Sequence, residues 1–293
     1  MNWHSYHNRN FHFDKEYGSE EWATPGSLKK IRDKDDRKNR ILSNNVSVSM
    51  GGVLSNNNMF IIGSSGSYKT NAVVTPNLLK AVNHYIVLDV KGELQYKFGN
   101  YLQEKGYTIR SLNLKNPEKS DRYNPFLYIE KEEDLIRLIT NLHEAVKKPD
   151  SMQGEPFWDD GVDLYLQSVF YYEWLQSIEE SRTGNMNNIL YLVNLETQKM
   201  PDGETTRLQL EMDKLAKRKG ELYPPVRDYR KLKEGATETV RSIIIMVNAM
   251  LKLCETASVK RIFEGDDIHI RDLGTGVGGT TEHPTTVKLH CFL

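Results

Sequence analysis

"IIGSSGSYKTN", residues 61–71, comes within one residue of a phosphate-binding loop. That signature, G-x-x-x-x-G-K-S/T, cradles phosphates on backbone amides, reaches the outer ones with lysine and ligates magnesium through a hydroxyl. Here Gly63, Gly66, Lys69 and Thr70 are in place, and Tyr68 stands where the motif puts its last glycine. The motif has chemical meaning only between a buried strand and a helix, whose N-terminus adds free amides and the positive end of the dipole. Upstream, "NMFIIG" reads as a short apolar strand; downstream, "TNAVVTPNLLKAV" has helical apolar spacing interrupted by Pro76. Two readings stand on the local motif: a nucleotide site, or a serine- and glycine-rich turn with an accidental Lys-Thr.

Outward from the loop, residues 58–129 carry three apolar strand candidates, "MFIIG", "HYIVLDV" and "YTIRSLNL", separated by "KTNAVVTPNLLKAV" and "GELQYKFGNYLQEKG". Strand, helix, strand, helix, strand predicts a parallel sheet with right-handed crossovers. From about 131 to 255 no strand pattern recurs. "KEEDLIRLITNLHEAVKK" is amphipathic with Leu135, Ile136, Ile139 and Leu142 on one side, and it stops before Pro149. "FWDDGVDLYLQSVFYYEWLQSIEE" places Val162, Leu166, Val169, Phe170 and Leu175 at helical intervals, and three further helical stretches follow. The aromatics Phe157, Trp158, Phe170, Tyr171, Tyr172 and Trp174 are expected in a core rather than on a base-stacking platform. The tail returns to strand texture in "TVKLHCFL".

The expected organisation is a polar N-terminal segment at 1–50, the first part of a P-loop nucleotide-binding domain at 51–130, a helical all-α subdomain at 131–255, and a return to the nucleotide-binding domain at 256–293. The fold class is α/β: a P-loop, RecA-like parallel sheet interrupted by an inserted all-α subdomain. The chain stops inside an apolar run, which predicts continuation beyond residue 293.

Composition narrows the function. A formal net charge of -1 over 293 residues gives no global attraction to nucleic acid or anionic lipid, so DNA contact requires a local patch. Lys214 and Lys217 to Lys219 form one basic cluster and the stretch 29–40 another. A helix end enriched in cations is also what dipole complementarity produces, and 29–40 reads as a solvated helix face. Cys254 and Cys291 lack metal-ligand spacing and are expected as reduced packing residues. No apolar run reaches the roughly 18 residues that span a bilayer, and the N-terminus lacks the apolar core of a secretion signal. The chain is expected to be soluble as given.

Taken in order, "YGSEEWAT", "MFIIGSSGSYKTNAVVTPNLL", "IVLDVKGEL", "GYTIRSLNL", "SDRYNPF", "FWDDGVDLYL" and "DDIHIRDLG" resemble the type IV secretion coupling proteins, the TraG-type conjugative DNA-transfer ATPases. The likeness covers roughly residues 17–274 and lies in the collinear order. It implies ATP and Mg2+ as cofactors, a hexameric homo-oligomer at the cytoplasmic face of the bacterial inner membrane, and relaxase or relaxosome, channel proteins and DNA as partners. Carried onto this sequence, Gly63, Ser64, Ser65, Gly66, Ser67, Tyr68, Lys69 and Thr70 line the phosphate cradle. Lys69 contacts the β- and γ-phosphates, Thr70 ligates Mg2+, and Asp89 either holds Mg2+ through water or is a polar strand terminus. Lys91 and Glu93 match the family segment and read as a salt-bridged turn. Arg241 reads as a helix-surface residue or as the arginine that reaches a neighbour's nucleotide.

Three departures bear on catalysis. The side chain of Tyr68 disfavours the positive φ that glycine permits. The acid-ending strand that supplies the family's water-activating base has no counterpart before residue 293, and the family's N-terminal membrane helices are missing. A conjugation ATPase, or the N-terminal portion of one, is therefore the first expectation. A non-catalytic adaptor that binds transfer proteins is the alternative.

Overall fold

The computed structural model describes residues 3–6, 9–12, 24–51, 58–146, 156–273 and 285–290. The segment at 17–23, Pro149 and Cys291 lie outside them. The chain divides into two compact units, 1–85 with 94–107, and 86–93 with 108–293.

The first unit opens on an antiparallel pair, β1 (Trp3–Tyr6) and β2 (Arg9–His12), followed by the short helix α1 (Pro25–Lys30). A second antiparallel pair, β3 (Asn39–Ser43) and β4 (Val46–Ser49), turns at Asn44 and Asn45. This hairpin falls where a polar segment was expected; its signal, "ILSNNVSV", is alternation about an Asn-Asn turn. Nor is 29–40 a helix face. The helix stops at Lys30, and the charges pair locally, Arg32 with Asp36 at 2.8 Å and Arg37 with Asp35 at 3.1 Å.

Residues 58–64 form no strand, against the reading of "MFIIG". Without a ladder partner the segment gains nothing from extended pairing, and its side chains stay in solvent, Phe60 at 90% and Ile62 at 84% exposure. After the glycine-rich turn the chain enters a π-helical stretch, Thr70–Val74, and then α2 (Thr75–Leu79).

The strand β5 (Tyr85–Leu88) and helix α3 (Glu93–Glu104) come next, then β6 (Thr108–Asn113). Gly106, at φ 85°, closes α3 with its N–H on the carbonyl of Gln103. The hydroxyls of Tyr101 and Tyr107 donate to the carbonyls of Leu79 and Asn83, fastening α3 and the residue beyond it within the first unit.

The second unit is mostly helical. Its helices are α4 (Glu132–Val146), α5 (Pro156–Glu179), α6 (Met186–Thr197), α7 (Arg207–Lys219), α8 (Pro224–Lys233), α9 (Thr237–Leu251) and α10 (Ala257–Ile262). The last strand is β7 (Thr285–His290). It lies between β5 and β6 and runs parallel to β6, with Thr108 opposite Thr285 and Asn113 opposite His290. The fold is thus mixed α/β with a small sheet. Of the three expected strands two form, and the one between them comes from the far end of the described chain.

The long helix α5 packs against α4, α6, α8 and α9. Tyr165, Leu166, Val169 and Phe170 from α5 are fully buried with Leu135, Ile139, Ile189, Leu208, Met212, Tyr229 and Val247. Two expected core positions face water instead, Ile136 and Phe157. Ile136 is one residue on from Leu135, a rotation of about 100° on a helix, while the buried stripe runs Leu135, Ile139, Leu142. The helix α8 was illegible because seven of its ten residues in "PPVRDYRKLK" are charged or Pro. Among its buried residues Val226, Tyr229 and Leu232 nevertheless recur every three, with Pro225 and Asp228 beside them. Cys254 carries a free thiol against the same core, and burial pushes its pKa up.

Candidate functional site

The residues of the glycine-rich turn lie together in the first unit. Ser67 N–H closes the turn on the carbonyl of Ser64 at 3.2 Å. Gly66 takes φ 78° and Tyr68 takes φ 58°. Glycine visits this left-handed region freely, whereas an L side chain pays about 1–2 kcal/mol there. The expected resistance of Tyr68 is therefore overcome: the backbone takes a positive φ, and the ring, 74% exposed, lies in solvent.

At Gly63 a methyl group would lie 2.3 Å from Ser67 Oγ and 3.2 Å from Lys69 Cδ. A side chain at residue 63 would therefore displace Ser67 Oγ and the stem of Lys69 from their present places. Lys69 folds back into that space. Its ammonium donates to the carbonyl of Gly63, to the carbonyl of Ser64 at 2.7 Å and to Ser67 Oγ at 3.3 Å. Among the described residues, the N–H groups of Ser65, Gly66 and Tyr68 donate to no main-chain carbonyl outside regular elements. Thr70 is exposed and opens the π-helical stretch.

Asp89 follows β5 in the second unit and is buried. Its carbonyl accepts from Gly92 N–H at 3.1 Å, and Gly92 sits at φ 75°, so "DVKG" is a tight turn leading into α3. Lys91 is exposed on that turn, and Glu93 is the acidic residue of the first turn of α3.

The later segments of the ordered set converge in the second unit. Arg122 grips Asp267 through two bonds, Nε to Oδ2 at 2.8 Å and Nη2 to Oδ1 at 2.7 Å, and holds its carboxyl down at about 2. The main chain joins them as well: Asp267 N–H donates to the Arg122 carbonyl at 2.8 Å, and Tyr123 N–H donates to that of Ile262 at 2.8 Å. Tyr128 donates its hydroxyl to buried Asp266 at 2.6 Å and accepts from Ile270 N–H at 3.0 Å. Burial and the neighbouring carboxylate push the Tyr128 phenol well up. "DRYNPFLY" and "DDIHIRD" are thus two sides of one clasp, a pairing that sequence order alone did not reveal.

Two of the four basic residues at the end of α7 pair with acids. Lys219 pairs with Glu179 at 2.8 Å and Lys214 with Glu211 at 2.8 Å, while Arg218 reaches Gln176. Arg241 is exposed and lies 3.6 Å from Glu238 on its own helix. No three acids, histidines or cysteines group as a metal site, and no helix is long and apolar enough to cross a membrane, among the described residues.

The molecule is therefore a mixed α/β protein with a glycine-rich lysine turn at a helix start and a large helical body. The family described as Type IV secretory system Conjugative DNA transfer matches residues 21–280, and the chain belongs to that family. No curated protein matches it.

Proposed function

We propose that this chain binds magnesium-ATP at residues 63–70 and serves as a coupling-protein ATPase, linking a relaxase-DNA substrate to a type IV secretion channel. The observation that carries the reading is the conformation of the turn: Gly66 and Tyr68 both take positive φ, and Lys69 packs into the space a Cβ at Gly63 would contest. That geometry suits a phosphate, because it leaves amides of the turn available and stations an ammonium at its mouth. The family match over residues 21–280 supports the transfer role. A RecA-like nucleotide domain around the inserted helices, hexamer formation and work at the cytoplasmic face of the inner membrane belong to the same proposal.

In this reading the ammonium of Lys69 exchanges the carbonyls of Gly63 and Ser64 for oxygens of the β- and γ-phosphates. The amides of Ser65, Gly66 and Tyr68 donate to the same phosphates, and Ser64 and Ser67 complete the wall. Thr70 and Asp89 are the residues that would hold Mg2+, and the ion would supply charge neutralisation to the phosphates. Magnesium-ATP supplies the phosphoryl group whose transfer to water powers movement of the substrate.

Equilibrium binding of magnesium-ATP to the purified chain, with Lys69→Ala as control, tests the reading. Saturable binding lost in the variant is expected. A folded native chain that shows no saturation would overturn it and leave the adaptor role.

A further inference from the structure

The stretch that follows Lys69 is not an ordinary helix. Thr75 N–H donates to the carbonyl of Thr70, five residues back, so the turn carrying Thr70 is widened. Pro76 accounts for the widening: it has no N–H to complete the regular ladder onto residue 72, and its ring crowds that carbonyl. A wide turn exposes main-chain groups that need other partners. The hydroxyl of Thr75 does not serve, since it is buried with no hydrogen bond.

Asn77 does serve, and in two directions. Its Nδ2 donates to the carbonyl of Val73 at 2.7 Å, inside the wide turn. The same amide pairs with the backbone of Ile41 on β3, Nδ2 to the Ile41 carbonyl at 2.7 Å and Oδ1 from the Ile41 N–H at 2.8 Å. A carboxamide is a peptide group in miniature, with donor and acceptor in one plane. Here it takes the place of a neighbouring strand on the free edge of β3 while holding the turn above it. Tyr85 donates its hydroxyl to the Asn77 carbonyl at 3.0 Å, a further tie on the same residue. Val73 is buried and Thr70 exposed, so the register of this turn sets which of its side chains faces out.

We infer that Asn77 is a positioning residue: by tying the widened turn to β3 it sets where Lys69 and Thr70 stand for the phosphates and their magnesium. The inference rests on the ATP reading above and adds to it a residue two helical turns from the loop. Without the amide, the carbonyl of Val73 and both main-chain groups of Ile41 lose their partner together. Pro76 still keeps the turn wide, but the turn is no longer tied to β3 and can shift against the hairpin, carrying Thr70 with it relative to the loop.

The test compares four folded chains: native, Asn77→Ala, Asn77→Asp and Lys80→Met. Asp keeps an acceptor for Ile41 N–H but cannot donate to either carbonyl. Lys80 also fastens this helix to the hairpin and the turn before it, its Nζ donating to the carbonyls of Asp36 at 2.5 Å and Asn39 at 2.7 Å, and it makes no hydrogen bond to the wide turn. Each chain is melted to find its Tm, then titrated with ATP well below that temperature, with and without Mg2+. Both Asn77 variants are expected to weaken magnesium-ATP binding about ten-fold or more, the scale of losing hydrogen bonds that hold a site in place. They are also expected to lose most of the gain in affinity that Mg2+ gives the native chain. Lys80→Met is expected to lower Tm comparably and leave Kd within about two-fold. Native binding with Asn77 variants that bind equally well at equal Mg2+ response overturns this inference alone. So does an equal loss in Lys80→Met, which would make Asn77 a matter of general stability. A native chain that does not bind brings down the ATP reading and this inference with it.

Discussion

The helical body and the glycine-rich turn solve opposite problems. In the body a continuous apolar core is closed around α5, and the buried carboxylates Glu173 and Glu196 are held by several donors each. Glu196 is enclosed, yet it receives Lys233 Nζ at 2.6 Å, Tyr229 hydroxyl at 2.7 Å and Thr206 Oγ1 at 2.9 Å. Glu173 is equally enclosed and takes two bonds from Arg182, with Asn185 N–H and the Asn188 amide on the same carboxylate. In the turn, little is buried, and the shape is held by φ angles and the folded-back lysine. Packing specifies one region and backbone conformation the other. Mutations should therefore be costly to stability in the first and costly to binding in the second.

The largest expected effect falls in the body. Glu196→Ala removes the buried carboxylate that pairs with Lys233, whose side chain is 28% exposed, and leaves the buried hydroxyl of Tyr229 without its acceptor. Breaking a buried pair in this way costs about 3–5 kcal/mol. Urea unfolding followed by circular dichroism measures it. A loss below about 1 kcal/mol would mean that the site opens to solvent and that the body is less closed than its packing indicates. Leu166→Ala, at a fully buried position, should cost about 2–5 kcal/mol by the same measurement.

The turn reverses the pattern. Tyr68→Gly removes a side chain from a left-handed position but adds freedom to the unfolded chain, two terms of about 1 kcal/mol that oppose each other. Stability should therefore move by less than about 1 kcal/mol. Magnesium-ATP affinity is expected to rise, because glycine relieves the strain and opens the approach to the amide of residue 68. Tyr68→Pro is the sharper variant: proline fixes φ near −65°, opposite to the observed 58°, and takes away the N–H. It should abolish binding while leaving the helical signal intact, as isothermal titration and circular dichroism would show.

The same contrast explains what could be read in the sequence. Helices α4, α5, α6, α7 and α9 were legible because their apolar residues repeat at helical spacing over three turns or more, and such a signal survives local exceptions like Ile136. Short elements were harder. "MFIIG" is as apolar as any strand, but a strand exists only through its neighbours, and β5 and β6 found theirs in β7 from far along the chain. The turn at 63–70 was legible as chemistry from four residues, Gly63, Gly66, Lys69 and Thr70. Its conformation at Tyr68 was not, since propensity argues against positive φ and only the closed geometry of the loop overrides it. Asn77 gave no signal at all: nothing in "TPNLL" says that its amide will reach across to Ile41, because the partner is thirty-six residues away.

The smallest expected effect lies in the clasp between "DRYNPFLY" and "DDIHIRD", which belongs to neither extreme. Arg122 and Asp267 make a bidentate pair, but both remain exposed, at 44% and 40% of their side chains. The guanidinium is the main cause holding the Asp267 carboxyl at about 2, below its ordinary 3.8. A carboxyl depressed in the folded state stabilises the protein at any pH above its unfolded value. That contribution fades as pH falls from about 4 through about 2, where the folded-state group takes its proton. Solvent screening limits it to about 1 kcal/mol or less. Asp267→Asn should therefore lower the urea midpoint slightly at pH 6, and its stability should fall less steeply than the native chain's between pH 4 and pH 2. High salt should narrow the gap at pH 6, since ions screen an exposed pair. Equal acid sensitivity in the two chains would place the clasp's strength in its main-chain bonds, Asp267 N–H to the Arg122 carbonyl and Tyr123 N–H to that of Ile262, and make the bidentate pair incidental to it.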